Sequence, residues 1–128
     1  MRALLDTHTF LWWISGEPYL TSRVRRIISD PGSELFLGYG SLWEATIKIQ
    51  KRTLKVAGNS VSFLISEMKA NQIRLLPLRL EYLVRLESLP LHHRDPFDRL
   101  LIAQALEEDL AILSSDSQLR RYPARVVW

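Results

Sequence analysis

Four carboxylates, far apart along the chain, are the side chains best suited to carry chemistry: Asp6, Glu44, Asp98 and Asp116. The sequence has no cysteine, which excludes thiol catalysis, cysteine-ligated zinc and iron–sulfur clusters. Oxygen ligands favour a hard cation such as Mg²⁺ or Mn²⁺. If the four acids meet in one cleft, they can bind such an ion and activate a water molecule for attack on a phosphate.

The order of apolar and amphipathic segments predicts the framework that would position these acids. Strands are predicted at residues 2–6, 34–39, 73–78, 110–113 and 125–128, and helices at 7–15, 41–51, 60–71, 80–89 and 95–108, with a last helical turn near 117–121. A further helix, which Thr21-Ser22 can cap, is predicted to bury Val24, Ile27 and Ile28. Strands that alternate with helices indicate a parallel sheet covered on both faces. With 128 residues, of which 47% are hydrophobic, we expect one α/β domain spanning residues 1–128.

Ligands bind parallel sheets beyond the carboxyl ends of the strands, and each acid is predicted at that edge. Asp6 ends the first strand, and Asp116 follows the strand at 110–113. Glu44 and Asp98 lie near the starts of helices. Helices that follow parallel strands present their N-terminal ends at the same edge, so the four side chains can converge there.

Each acid, taken alone, also has a purely structural explanation. Asp6 and Asp116 are suited to cap the helical segments that follow them. Asp98 falls in the first turn of a helix that Asp95 can cap, where an acid favours the helix dipole. Glu44 can be a solvated residue that pairs with Lys48 at i+4 on a helix surface. Capping does not require that all four point into one cleft, so their convergence is the decisive observation.

Four segments carry the acids: Leu4–His8, Ser41–Glu44, His93–Ala105 and Ser114–Asp116. In this order they resemble the PIN-domain family, and in particular the VapC-like toxins of prokaryotic toxin–antitoxin pairs. The resemblance runs from Arg2 to Trp128. It implies a PIN-like domain with about five parallel strands flanked by helices, and a Mg²⁺-dependent endoribonuclease, with Mn²⁺ as a possible substitute, that acts as a toxin.

The resemblance assigns catalysis and metal binding to the same four acids, with Asp116 matching the family's more variable position. Ser114 matches a hydroxyl two residues before that acid, and it is predicted with Thr7 to support the site. Asp95 is assigned to the helix cap and Asp98 to the metal. Our mechanistic hypothesis makes Asp6 and Asp98 the main ligands.

The predicted partners follow from charge and from the resemblance. The formal net charge is +3, a modest positive field that helps to hold a polyanion. Arg94 and Arg99 flank Asp98 and are candidates to contact RNA phosphates. The resemblance further implies a cognate antitoxin and a homodimer. Because no signal peptide or membrane span is recognised, we expect a cytoplasmic protein without a membrane partner.

Other interpretations of the same residues are possible. The three histidines, His8, His92 and His93, are interpreted as structural or peripheral. An aspartyl phosphatase would place a second acid where His8 stands, and a response-regulator receiver would need a lysine after a late strand, whereas none follows Lys69. The remaining alternative is a non-catalytic PIN-like module that binds RNA or protein.

Overall fold

The computed structural model describes residues 1–128. Its strands are β1 (Arg2–Leu5), β2 (Glu34–Gly38), β3 (Ile73–Leu76), β4 (Ala111–Leu113) and β5 (Val126–Val127). Its α-helices are α1 (Thr7–Ser15), α2 (Ser22–Ser29), α3 (Tyr39–Gln50), α4 (Val61–Ala70), α5 (Leu80–Ser88) and α6 (Pro96–Glu108). Short 3₁₀ helices occupy Ala57–Asn59 and Ser117–Arg121. No helix combines the length and the apolar character that crossing a membrane requires.

The five strands form one sheet in the order β3-β2-β1-β4-β5, and all four pairings are parallel. The predicted α/β class with a five-stranded parallel sheet is therefore confirmed. The central strand β1 pairs with both β2 and β4, and Leu5 lies opposite Leu37 on one side and Leu113 on the other. The residues that follow these three strands consequently emerge side by side.

Alternating side chains of the strands fill two separate cores, one on each face of the sheet. Ala3 and Leu5 belong to the core that also contains Phe10 of α1 and Leu64 of α4. Leu4, between them, points to the other core, which is packed against α6. Ala3, Leu4 and Leu5 have no exposed surface. The strand that precedes Asp6 is thus fixed from both sides.

Two glycines allow the start of α3 to approach α6 closely. A Cβ atom on Gly40 would lie 2.9 Å from Leu100 Cδ2, and one on Gly38 would lie 2.7 Å from Gln104 Oε1. Gln104 is only 1% exposed, so its side chain has little room to withdraw. This close contact brings together the two helices that carry Glu44 and Asp98.

The structure departs from the predicted elements in three places. Helix α3 begins at Tyr39, two residues earlier than predicted, and the 3₁₀ helix Ala57–Asn59 was not predicted. In α5 the apolar stripe that indicated a helix is exposed: Leu80 is 79% and Leu83 61% accessible, whereas Tyr82 is buried. The spacing identified the helix but not the face that packs on the domain.

Candidate metal centre

The four predicted acids line one cavity of about 390 Å³ at the carboxyl edge of the sheet. Its lining residues are Asp6, Thr7, His8, Trp12, Glu44, Lys48, Asp95, Asp98, Ser115 and Asp116. The acids come from the end of β1, from α3, from the first turn of α6 and from the segment after β4. The structure therefore brings together side chains that lie up to 110 positions apart in the sequence.

Asp6 is held by two hydrogen bonds that use different oxygens. The Thr9 backbone N–H donates to Oδ1 at 2.8 Å, so Asp6 caps α1. The Ser114 hydroxyl donates to Oδ2, and its oxygen accepts the Asp116 backbone N–H at 3.0 Å. Ser114 is buried and links the acid after β1 to the acid after β4. Both hydrogen bonds are compatible with the supporting role predicted for Ser114, which stays a prediction.

Glu44 is oriented by a hydroxyl and faces a cation. The Thr7 hydroxyl donates to Oε1 at 2.7 Å, and Lys48 Nζ lies 3.5 Å from Oε2. The Glu44 side chain is 14% exposed. The helix-surface pairing and the site position are therefore compatible, because the same carboxylate makes both contacts.

His93 joins the remaining two acids. Its Nε2 lies 3.1 Å from Asp98 Oδ2 and 3.5 Å from Asp116 Oδ2, and the three residues offer ligand atoms within 4.8 Å of one another. The peripheral interpretation was therefore wrong for His93. Its place in the loop, two residues before the helix cap Asp95, indicates only that His93 lies near the start of α6, and no sequence signal gives its distance to the acids. By contrast, the ring of His92 packs against Tyr122 at 5.2 Å.

The charge of this cluster is only partly compensated within the chain. The pKa of Asp98 is raised to about 7, chiefly because burial disfavours the charged carboxylate. Repulsion from Asp95 is the next largest cause, and Glu44 and Asp116 also raise the pKa. His93 lowers it. Asp95 itself caps α6 as predicted, since its Oδ1 accepts the Phe97 N–H at 2.8 Å. A bound cation would relieve this repulsion.

The raised pKa of Asp98 predicts how the stability of the metal-free protein depends on pH. Its folded pKa is about 7 and exceeds the unfolded value of about 3.9. The folded state therefore retains a proton that the unfolded state has lost. Asp98 should then lower the free energy of unfolding as pH rises from about 4 to 7, by about 1–2 kcal/mol after solvent screening.

Thermal melting in chelator at several pH values measures this dependence. The Asp98→Asn variant should be more stable than the parent chain at pH 8, and the difference should shrink as the pH falls toward 4. A difference between the two proteins that does not change with pH would contradict the assignment.

The two arginines predicted to contact phosphates differ in how their side chains are held by the protein. The Arg99 guanidinium donates to the Pro90 carbonyl at 2.8 Å and to the Leu86 carbonyl at 3.2 Å, so it ties the loop before α6 to α5. Arg94 is exposed. Both line a depression next to His93, outside the acidic cavity. Arg94 is thus the better placed of the two to meet a substrate.

Residues 3–125 match the sequence model of the PIN domain. The chain belongs to the PIN-domain family. Over 129 aligned residues this PIN domain is 29% identical to the ribonuclease VapC22 of Mycobacterium tuberculosis, and the alignment covers 98% of the chain and 97% of that relative. The family resemblance expected from the sequence segments is confirmed.

Solved structures share the fold of this PIN domain at low sequence identity. VapBC2 from Rickettsia felis, bound to a DNA fragment from its promoter, has a TM-score of 0.73 at 14% identity, with 99% of this chain and 98% of the other covered. VapBC-1 from nontypeable Haemophilus influenzae gives 0.66 at 11% identity, with 99% and 97% covered. A toxin–antitoxin complex from Klebsiella pneumoniae gives 0.64 at 13%, with 98% and 96% covered.

The donor set of this PIN domain fits a hard divalent cation. Five carboxylates line the cavity, and the sequence offers no thiolate. After burial, which is the largest cause, the neighbouring acids also raise the pKa of Asp98. Such sites are suited to Mg²⁺ or Mn²⁺ rather than to zinc or copper.

Proposed function

We propose that this PIN domain is a Mg²⁺-dependent endoribonuclease and the toxin of a toxin–antitoxin pair. It acts as a single domain of residues 1–128. Its proposed location is the cytoplasm, where it would meet RNA. The convergence of the four acids in one cavity is the observation that carries the proposal. The similarity to ribonuclease VapC22 supports RNA as the substrate. Repulsion from neighbouring acids, which after burial raises the pKa of Asp98, supports a cation requirement.

The mechanism divides two tasks among the four acids. Asp6, Asp98 and Asp116 would hold the ion, because a carboxylate oxygen that accepts one hydrogen bond still has a free lone pair. When bound, Mg²⁺ lowers the pKa of a coordinated water and offsets the charge of the phosphate. Glu44, held by the Thr7 hydroxyl, accepts the proton of the attacking water.

The products follow from the choice of nucleophile. The water oxygen forms a bond to phosphorus while the bond from phosphorus to the 3′ oxygen breaks. The proposed products are therefore a 5′-phosphate and a 3′-hydroxyl. Arg94, exposed beside the cavity, and Lys48, on its wall, are the cations placed to contact phosphates on either side. We keep Arg99 in a structural role because its guanidinium binds two carbonyl groups.

An apolar groove next to the acids supports an antitoxin as partner. The groove has a volume of about 450 Å³ between α3 and α4, and its lining residues are Tyr39, Leu42, Trp43, Thr46, Val61 and Ile65. Trp43 is 53% exposed and immediately precedes Glu44. Such an exposed aromatic groove is suited to an amphipathic segment of a partner protein, and the acidic cavity beside it is suited to a basic side chain on that segment. The VapBC complexes with this fold are consistent with such a partner.

A second exposed apolar surface supports a homodimer. Leu80, Leu83 and Val84 form a stripe on α5 that faces solvent. A stripe at i, i+3 and i+4 on one helix is suited to pack against the same stripe of a second copy, as in a twofold interface. Light scattering at micromolar concentration should give twice the mass of the chain, and a monomer mass would contradict the dimer.

Cleavage of RNA by the purified protein tests the proposed activity. With Mg²⁺ the RNA should be cut to products with 5′-phosphate ends, and chelator should stop the reaction. Glu44→Gln should reduce the rate at least about 100-fold, because general-base catalysis contributes about 10²–10⁴. Glu87→Gln, an exposed acid on α5, is the matched control and should cleave normally.

Three results would argue against the proposal. Equal cleavage with Mg²⁺, with chelator and by Glu44→Gln would show that the activity is not that of this site. Products with 2′,3′-cyclic phosphate ends would exclude water as the nucleophile. Saturable binding of Mn²⁺ without any cleavage would favour a non-catalytic PIN-like module.

A further inference from the structure

The side chain of His93 is fixed with its Nε2 atom close to two of the acids. The backbone N–H of Asp95 donates to His93 Nδ1 at 3.1 Å, so this nitrogen must present its lone pair. A neutral imidazole then carries its proton on Nε2. That nitrogen lies 3.1 Å from Asp98 Oδ2 and 3.5 Å from Asp116 Oδ2. The Nε2–H group is therefore the polar group of the ring that lies nearest to both carboxylates.

The backbone of His93 is anchored by an independent set of contacts. Its N–H donates to the hydroxyl oxygen of Tyr122 at 2.8 Å, and the same hydroxyl donates to the Pro90 carbonyl at 2.9 Å. Tyr122 is 3% exposed, and the His93 side chain is 16% exposed. The ring thus has a defined position on a loop that would otherwise be free to move.

We propose that His93 is a positioning residue of the metal centre, which holds Asp98 and Asp116 at the separation an ion needs without coordinating the ion itself. This inference rests on the proposed function. A protonated Nε2 has no lone pair for a metal, and moving the proton to Nδ1 would remove the hydrogen bond from Asp95. Groups that donate to metal-binding carboxylates orient them and tune their affinity.

Substitution of His93 with glutamine or asparagine can test whether the N–H group at the Nε2 position is what matters. The side-chain amides of these two residues differ in length. The side-chain nitrogen of glutamine reaches the position of Nε2, whereas that of asparagine reaches only the position of Nδ1. His93→Gln should therefore keep the donor, and His93→Asn and His93→Ala should lose it. His92→Ala is the matched control, because His92 is the neighbouring residue and packs on Tyr122 rather than on the acids.

Titration with Mn²⁺, followed by the electron paramagnetic resonance of the free ion, measures the affinity directly. His93→Ala and His93→Asn should weaken binding at least about tenfold, the usual lower bound for losing a group that supports a ligand. His93→Gln should bind more tightly than both of these variants, and His92→Ala should bind like the parent chain. Circular dichroism in chelator should show that every variant is folded at the titration temperature.

The outcomes separate this inference from the proposed function. Absence of saturable Mn²⁺ binding by the parent chain would overturn both. Tight binding by the parent chain and by all three His93 variants would overturn the positioning role alone. Pulsed resonance of the Mn²⁺-loaded protein should show no directly coordinated nitrogen. A nitrogen coupling that His93→Ala abolishes would make His93 a ligand and overturn its assignment as a donor.

Discussion

Replacement of Asp6 with asparagine should lower kcat/KM for RNA cleavage at least about 1,000-fold while leaving the fold intact. The amide oxygen can still accept the Thr9 N–H that caps α1, so the helix start is retained. The charge that faces the ion is lost, and a nitrogen donor replaces the oxygen that accepts the Ser114 hydroxyl. Ion–phosphate stabilisation contributes several kcal/mol to such reactions, and each 1.36 kcal/mol corresponds to a factor of ten.

A second aspartate provides the control for this variant. Asp30 also accepts a local backbone hydrogen bond, from the Gly32 N–H at 2.9 Å, but it does not line the acidic cavity. Asp30→Asn should therefore cleave RNA like the parent chain. Both variants should melt within a few degrees of it in chelator. Retention of more than a tenth of the activity by Asp6→Asn would contradict the central role of this acid.

Replacement of Phe10 with alanine should have the largest effect on stability. Phe10 lies on α1, is 2% exposed and belongs to the core that packs against one face of the sheet. Removal of a buried phenyl ring costs about 3–5 kcal/mol, through lost burial and the cavity left behind. Total stabilities of small domains are about 5–15 kcal/mol, so the melting temperature should fall by about 10–20 °C.

Thermal melting in chelator checks this prediction without a contribution from bound metal. Phe10→Leu, which keeps most of the apolar volume, should lose much less stability. Leu91→Ala is the exposed control, because Leu91 is 86% accessible, and it should change stability by about 0.5 kcal/mol or less. Equal melting temperatures for Phe10→Ala and Leu91→Ala would show that α1 does not pack on the sheet as described.

Much of the fold was predictable because local sequence and sheet geometry point to the same arrangement. Apolar residues in β1 and β4 indicate buried strands, and the predicted bounds agree with the structure within one or two residues for most elements. The convergence of Asp6 and Asp116 follows from a general rule, since both come after neighbouring parallel strands. The caps formed by Asp95 and Asp6 are likewise short-range features that the sequence specifies.

The features that were missed depend on contacts between distant segments. The position of His93 is set by Tyr122, 29 residues away, and no local pattern in the loop encodes that distance. The role of Arg99 depends on carbonyl groups of α5 and of the following loop. The outward face of α5 could not be deduced from helical spacing, because spacing shows that Leu80 and Leu83 share a side and not which way that side points.

The hydrogen bond from Ser114 to Asp6 joins residues 108 positions apart, and β1 lacks its neighbour β4 until the chain has reached Leu113. Proteins are synthesised from the N-terminus, so a growing chain on the ribosome carries Asp6 long before it acquires Asp116. Unfinished or C-terminally truncated chains therefore lack a complete acidic centre. The proposed chemistry can therefore begin only after the ribosome has synthesised the chain through Asp116.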